Sequence, residues 1–251
     1  MPDAWLFGIL AVIALGEVAA PRRRLTAARS LRWPTNVTLG AINVVLLAAF
    51  AAWLSDGPAA ARWGLLHRAA VPGPLAIAFS VVALDALSYA SHRLLHRVPA
   101  LWAVHRVHHA DSDCDSTTGF RFHPGEALLT NGLFAAAIAV LGLPALGVVV
   151  HQVLAMTLTI AEHANVRVPP AVDQYVRRVL VTPDMHRVHH SAHAADSDTN
   201  FATIFPIWDR WFGTYRAEPA DGHEAMRVGL DGFRTARDLT LPSTLVMPFR
   251  P

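Results

Sequence analysis

Residues 128–160 read LLTNGLFAAAIAVLGLPALGVVVHQVLAMTLTI, and this apolar stretch is the most informative segment for the architecture of the chain. About 20 apolar residues cross the hydrocarbon core of a bilayer, so the stretch is too long for one straight span. Gly142-Leu143-Pro144 stands in its middle, and proline removes a backbone donor and clashes with the preceding helical turn. The stretch therefore predicts a helical hairpin that enters the membrane and returns.

Three further apolar segments precede the hairpin, at residues 5–20, 37–54 and 74–90. The first is a little short for a span and is interpreted as a retained first membrane segment, because no basic region or cleavage site marks a signal peptide. The recurrence of near-spanning lengths favours a membrane protein over a soluble all-α protein with buried helices. We therefore expect an all-α integral membrane helical bundle with about four spans, formed by residues 1–251 as a single domain.

Composition supports the membrane interpretation and excludes other classes of protein. Hydrophobic residues make up 53% of the chain and charged residues 16%, against about 25% charged in typical soluble domains. The net charge of +2 is too small to indicate a nucleic-acid partner. Cys114 is the only cysteine, so neither an internal disulfide framework nor a thiolate zinc cluster can form.

Arginine placement predicts the topology. Five arginines lie within residues 22–32, between the first two apolar segments, and such loops are enriched on the cytoplasmic side. The loop at 55–73 then lies outside, and the next segment returns to the cytoplasm with His92 at its end. The hairpin dips in and comes back, so every histidine cluster is expected on the cytoplasmic face.

The pentapeptide His-Arg-Val-His-His occurs at 105–109 and again at 186–190, and His92, His96 and His163 stand nearby in the predicted topology. Residues three and four apart share a helix face, so each cluster is expected to point its rings into one space. Imidazole suits iron, zinc, copper and nickel. Eight or nine rings exceed the four ligands of a structural zinc, which indicates two ions. A pH-sensing histidine patch is the alternative, but it does not require such regular spacing.

Carboxylates near the clusters are candidates for outer contacts, because ligating imidazoles usually donate their second N–H to a carboxylate or carbonyl. Asp85 lies two helical turns before His92, and a histidine partner would explain its place in an apolar span. For each candidate, an ordinary solvated carboxylate is the alternative. Glu162 could instead be a ligand beside His163. His151, inside the hairpin, is a functional candidate that no spacing ties to the clusters. The other outer-contact candidates are Asp111, Glu126 and Asp184.

The three histidine boxes together resemble the fatty acid hydroxylase / sterol desaturase superfamily of membrane di-iron oxidases, over residues 75–215. The segments 121–124, 162–165 and 208–214 are similar to the regions that flank the boxes in that superfamily. The resemblance implies that His123 is a tenth ligand or an outer contact. It implies these ligands: His92, His96, His105, His108, His109, His163, His186, His189 and His190.

The same resemblance implies two Fe ions, O2 as co-substrate, and hydroxylation or desaturation of a lipid from the bilayer, whether fatty acyl, sterol or related. No dinucleotide fingerprint or haem pattern is evident, so we expect an external electron donor of the ferredoxin or cytochrome/reductase type. Two alternatives remain at this stage. A membrane zinc-dependent hydrolase lacks a His-Glu-x-x-His motif here, and a non-enzymatic metal transporter or sensor would place its ligands near the bilayer midplane.

Overall fold

The computed structural model describes residues 4–55 and 64–250 of the chain. Its regular elements there are helices, and two isolated β-bridges also occur. This confirms the predicted all-α class. Short 3₁₀ turns occur at Ser116–Phe120, Ala236–Leu239 and Met247–Phe249. The α-helices are α1 (Ala4–Ala19), α2 (Arg29–Ser55), α3 (Leu65–Arg68), α4 (Gly73–Arg97), α5 (Pro99–His109), α6 (Pro124–Leu141), α7 (Ala145–His163), α8 (Pro170–Val176), α9 (Pro183–His189), α10 (Ala194–Ser197), α11 (Ile207–Trp211), α12 (Gly222–Ala225) and α13 (Leu241–Val246).

Four helices in the described part of the chain are long and apolar enough to cross a membrane, which agrees with the predicted number of spans. Their identity differs from the prediction in one respect. A helix forms at the first apolar segment, but α1 has only 16 residues, short of the roughly 20 that a bilayer requires. The four membrane-length segments are Arg29–Trp53, Gly73–Arg97, Pro124–Leu141 and Ala145–His163.

The predicted hairpin is confirmed, and it is made of α6 and α7. Gly142 ends α6 in the left-handed conformation, at φ 67°, which glycine adopts without steric cost. Pro144 then lies just before the first residue of α7, where its missing N–H is not needed. The predicted outer loop at 55–73 includes residues 56–63, which lie outside the described residues.

Helix α7 packs closely against α4, and a glycine makes the approach possible. A Cβ atom at Gly147 would lie 2.6 Å from Cβ of Ser80 and 3.2 Å from Cα of Ile77. Small residues at such contacts let membrane helices pack by van der Waals contact, because lipid provides no hydrophobic drive between them. This contact sets α4 and α7 side by side, so the histidines at the ends of both helices lie near one another.

Buried polar contacts join the N-terminal third of the chain to the loops around the histidines. Glu17 at the end of α1 accepts hydrogen bonds from the backbone N–H groups of Ser116 (2.7 Å) and Asn165 (2.9 Å). The Arg32 guanidinium binds Asp111, and neither side chain exposes surface. Residues 17–32 therefore lie on the same side of the bundle as the histidine clusters.

Candidate metal centre

Nine histidines from four elements converge at one end of the bundle. Helices α4 and α7 deliver theirs at their last turns, α5 carries the first pentapeptide, and α9 with the residue after it carries the second. The side-chain ligand atoms form two groups, and within each group all of them lie within 4.8 Å of one another. The first group contains His92, His96, His105, His109 and His189, and the second contains His108, His163, His186 and His190.

The ring nitrogens that meet in each group are spaced as ligands of one ion would be. In the first group the Nε2 atoms of His92 and His105 are 3.1 Å apart, as are those of His96 and His109. In the second group His163 Nε2 lies 3.0 Å from Nε2 of His190. Two nitrogens that are each about 2.1 Å from one ion, at angles from square to tetrahedral, are about 3.0–3.4 Å apart. The donor set therefore fits two metal ions.

Hydrogen bonds on the opposite side of the rings leave the facing nitrogens available to bind a cation. Nδ1–H of His92 donates to the Phe201 carbonyl at 2.8 Å, and His105 Nδ1 lies 2.7 Å from a carboxylate oxygen of Glu126. In a neutral ring whose Nδ1 carries the proton, Nε2 holds a lone pair. The lone pairs of His92 and His105 thus face each other at 3.1 Å, an arrangement that a metal ion stabilises and that is repulsive without one.

Burial keeps the other rings in the neutral form that binds metal. Desolvation lowers the pKa of His108, His109, His186 and His190 well below the ordinary value. The pKa of His189 is lowered to about 3 by the same burial, which its bond from Nδ1–H to the Thr199 carbonyl at 2.8 Å only partly offsets. At physiological pH each of these five imidazoles is therefore uncharged and has a lone pair to share.

The two pentapeptides divide their rings between the two groups, and this corrects the expectation that each cluster points into one space. The first and fifth positions, His105 and His109, belong to the first group, whereas His108 belongs to the second. In the later pentapeptide the assignment is reversed, with His189 alone in the first group. The rings of His109 and His190 stack across the boundary at 4.7 Å, so the groups are immediate neighbours.

Outer contacts differ between the groups. In the first group, Nδ1 of His92, His105 and His189 hydrogen-bonds a carbonyl or carboxylate oxygen. In the second group His163 Nδ1–H donates to the Thr159 carbonyl at 2.5 Å. The Nδ1 atoms of the other three rings are buried without a hydrogen-bond partner among the described residues. The second group is consequently held less tightly by its surroundings.

Glu162 lies at the edge of the second group. One of its oxygens is 3.9 Å from His186 Nε2, and the other is buried without a hydrogen-bond partner among the described residues. The side chain is 3% exposed. A carboxylate in this position can complete the ligand shell of the ion that the four histidines would hold. This position is compatible with the sequence-based alternative that Glu162 is a ligand.

Asp85 does not contact a histidine, contrary to the expected partner. Its carboxylate accepts hydrogen bonds from the backbone N–H groups of Ile204 and Phe205, both at 3.1 Å, and from Trp208 Nε1 at 2.8 Å. These contacts hold the segment whose Phe201 carbonyl orients His92. The influence of Asp85 on the site is therefore indirect.

His123 and Asp184, two further candidates for outer contacts, also have partners other than the nine histidines. His123 accepts from the Gly125 N–H through Nδ1 at 3.0 Å, and its Nε2–H donates to the Leu245 carbonyl at 3.2 Å. Both nitrogens are occupied, so His123 caps α6 and is not a tenth ligand. Asp184 accepts from Arg22 at 3.1 Å and from Arg187, which lies between the histidines of the second pentapeptide.

Sequence reasoning underrated two side chains that hold the first pentapeptide. Glu126 was one candidate among several, yet its carboxylate lies 2.7 Å from His105 Nδ1, closer than any other described carboxylate lies to a cluster histidine. Arg32 entered only as a topology signal, yet it is fully buried and bonds Asp111 at 2.5 Å and Asp115 at 2.6 Å. The Arg32 guanidinium outweighs the effect of burial and lowers the pKa of Asp111 to about 2. An arginine followed by the apolar pattern of a span gives no signal of such a role.

A cavity of about 740 Å³ opens from the histidines into the helical bundle. His92, His105, His108, His163 and His186 contribute to its lining at one end. Helices α2, α4, α6 and α7, which have membrane length, provide most of the remaining wall. Most of that wall is apolar, with side chains that include Leu47, Phe50, Leu95, Phe134, Ile138 and Met156.

Membrane-length helices with two converging histidine groups at one end define an integral membrane protein with a site suited to metal. The family can be stated more narrowly. Residues 77–214 match the fatty acid hydroxylase family model, which covers more than half of the chain. The chain belongs to the fatty acid hydroxylase family, as its histidine boxes predicted. No solved structure matches it significantly.

Curated relatives share this core at moderate identity. Human alkylglycerol monooxygenase is 32% identical over 132 residues, which are 52% of this chain and 28% of the relative. Ornithine lipid hydroxylase OlsE of Rhizobium tropici is 29% identical over 52% of this chain and 39% of its own length. Rice very-long-chain aldehyde decarbonylase GL1-1 (subspecies indica) is 28% identical over 60% of this chain and 25% of its own length. The chain thus spans well under half the length of these relatives.

Proposed function

We propose that this protein is a membrane-bound di-iron oxygenase that hydroxylates or desaturates a lipid with O2 and electrons from an external donor. The observation that carries the proposal is the junction of two neighbouring histidine groups with an apolar cavity between membrane-length helices. The names of the relatives, two of which are lipid-oxidising enzymes, support the same class of reaction.

The proposed ligands are the five histidines of the first group and the four of the second. Iron ions bound there would supply O2 activation and oxidation of an unactivated C–H bond, chemistry that no side chain can perform. The apolar wall binds the lipid chain and excludes water from the reacting end. Glu126 and the carbonyls of Phe201 and Thr199 fix the orientation of three ligands.

We further propose that the centre lies on the cytoplasmic face, and that the whole chain acts as one domain. Arg22 and Arg32 bond Asp184 and Asp111, so the arginine-rich segment lies on the side of the histidines. Short loops rich in arginine favour the cytoplasm. A donor of the ferredoxin or cytochrome/reductase type would approach from that side.

Metal content tests the proposal first. Protein produced in iron-57 medium and purified in detergent should contain close to two irons per chain, with Mössbauer signals of a high-spin pair. A His108→Ala/His189→Ala variant, which removes one ligand from each group, should lose most of this iron. The matched control is His193→Ala, because His193 is exposed and belongs to neither group.

Enzyme activity tests the proposed oxygenase reaction. With O2 and a reducing system, the iron-loaded protein should convert lipids extracted from its host membranes into products with added oxygen or a new double bond. Freshly isolated protein that contains zinc without iron and hydrolyses lipid would overturn the oxygenase in favour of a hydrolase. Protein without any bound metal would exclude both enzymes.

A further inference from the structure

The part of the cavity far from the histidine groups contains an unusual polar side chain. His151 lines the cavity from α7 and is 3% exposed. It precedes His163, at the metal end of the same helix, by twelve residues, which corresponds to about 18 Å along the axis. His151 is therefore too distant to be a ligand and lies within the membrane-length part of α7.

Neither ring nitrogen of His151 has a hydrogen-bond partner among the described residues, and both are shielded from solvent. The neighbouring ring is that of Phe134, with centroids 5.9 Å apart, and it offers no acceptor. A polar group without a partner is costly in an apolar environment, and more so where the bilayer excludes water. Ionisable residues in spans usually pair with one another or with backbone carbonyls, but His151 does neither.

The occupant of the cavity can supply the partner that the described residues do not. We propose that His151 is a substrate-binding residue that hydrogen-bonds an oxygen atom of the lipid, about 18 Å from the metal end. This inference rests on the proposed function and narrows its substrate class. The substrate would be a long apolar lipid with a hydroxyl, ether or carbonyl oxygen far from the oxidised C–H bond. A plain hydrocarbon chain would leave His151 unpaired.

The chemistry of imidazole agrees with this class of ligand. A neutral ring has one N–H donor and one lone pair. It can therefore donate a hydrogen bond to a hydroxyl, carbonyl or ether oxygen, or accept one from a hydroxyl group. Gln152 lines the same region and offers a second polar group. The rest of the wall near His151, which includes Phe134 and Ile138, is apolar and would contact the hydrocarbon part of the lipid.

Binding of two matched probes tests the proposal without any need for turnover. Octadecane and stearyl alcohol have the same chain and differ by one hydroxyl group. Native mass spectrometry of the iron-loaded protein, released from detergent, measures the occupancy of each. The wild type should bind the alcohol roughly five-fold more tightly, as expected for one net hydrogen bond. His151→Leu should remove the preference while keeping octadecane binding, and His151→Gln should retain part of it.

Controls separate this inference from the proposed function. His151 is outside both histidine groups, so iron content should be equal in all three forms. Equal binding of the two probes by the wild type would overturn the proposal. So would a preference that survives in His151→Leu, because the hydroxyl would then point to the metal end. Loss of iron or of oxygenation with the preference intact would instead overturn the di-iron oxygenase and leave the His151 subsite standing.

Discussion

His108 and His109 are adjacent in the chain, yet their rings lie at 88° to each other, with centroids 5.4 Å apart, and they belong to different histidine groups. Successive residues on a helix point about 100° apart, so one turn of α5 supplies both groups. The division between the two ions is therefore set by helix geometry within the pentapeptide.

This division predicts that single substitutions affect different ions. His108→Ala should weaken the second site and His109→Ala the first, because each removes one nitrogen from one group. Mössbauer spectra of the two iron-57 proteins should each keep one iron environment and lose the other. Loss of the same environment in both variants would contradict the assignment.

Glu126 is expected to strengthen metal binding through His105. The carboxylate fixes the ring with its metal-facing nitrogen unprotonated, and loss of such contacts typically costs about 10–100-fold in affinity. Glu126→Ala should show a loss in this range in a metal competition titration. Glu126→Gln retains an acceptor oxygen and should show a smaller loss of metal affinity. Glu224→Gln alters an exposed carboxylate that pairs with Arg22 and bonds none of the nine histidines, and it should match the wild type.

Removal of the metal should lower thermal stability. The facing lone pairs of His92 and His105 repel without a cation, and a ligand at 100 times its Kd stabilises the folded state by about 2.7 kcal/mol. A strong chelator should therefore lower Tm in detergent, and added iron should restore it. The double variant His92→Ala/His105→Ala should have a Tm that no longer responds to either. An unchanged wild-type Tm after verified iron removal would argue against this account.

The buried ion pair of Arg32 and Asp111 should matter more to stability than any surface pair. Removal of one partner leaves an uncompensated buried charge, at a cost of about 3–5 kcal/mol. Arg32→Ala should lower the free energy of unfolding by this amount and reduce metal content as well, because it leaves Asp111 and Asp115, which follow the first pentapeptide, without their shared guanidinium. Asp231→Ala is the control, since its pairs with Arg227 and Arg234 are exposed and contribute at most about 1 kcal/mol.

The cavity wall should set the size of lipid that fits. Ala155 lines the cavity on α7, whereas its neighbour Leu154 is 39% exposed and is not part of the lining. Ala155→Phe should shift binding and product formation to shorter chains, because the ring fills space between His151 and the histidine groups. Leu154→Phe places the same ring on the outer face and should leave the chain-length profile unchanged. Identical profiles for Ala155→Phe and the wild type would place the lipid elsewhere.

Much of the architecture was predictable because it depends on local pattern. The apolar run at 128–160 gave the hairpin, since length and a central Gly-Leu-Pro leave helices little choice. Segment 5–20 shows the limit of that reasoning, because α1 has 16 residues, about four fewer than a span requires. The histidine boxes at 92–96, 105–109 and 186–190 were identified from their spacing along the chain, whereas the isolated His163 joined the ligand set through the family resemblance.

The tertiary structure alone decided how those histidines are used. The partner of His92 is the backbone carbonyl of Phe201, 109 residues away, and a carbonyl exists at every position, so no residue type announces it. His123 resembled a ligand in sequence, but its place at the start of α6 occupies both of its nitrogens. His151 had no spacing to connect it with a site, and only the arrangement of α6 and α7 around the cavity shows that its ring has no partner among the described residues. Sequence periodicity records which residues share a helix face, whereas hydrogen-bond partners and cavities arise from elements that are distant in the chain.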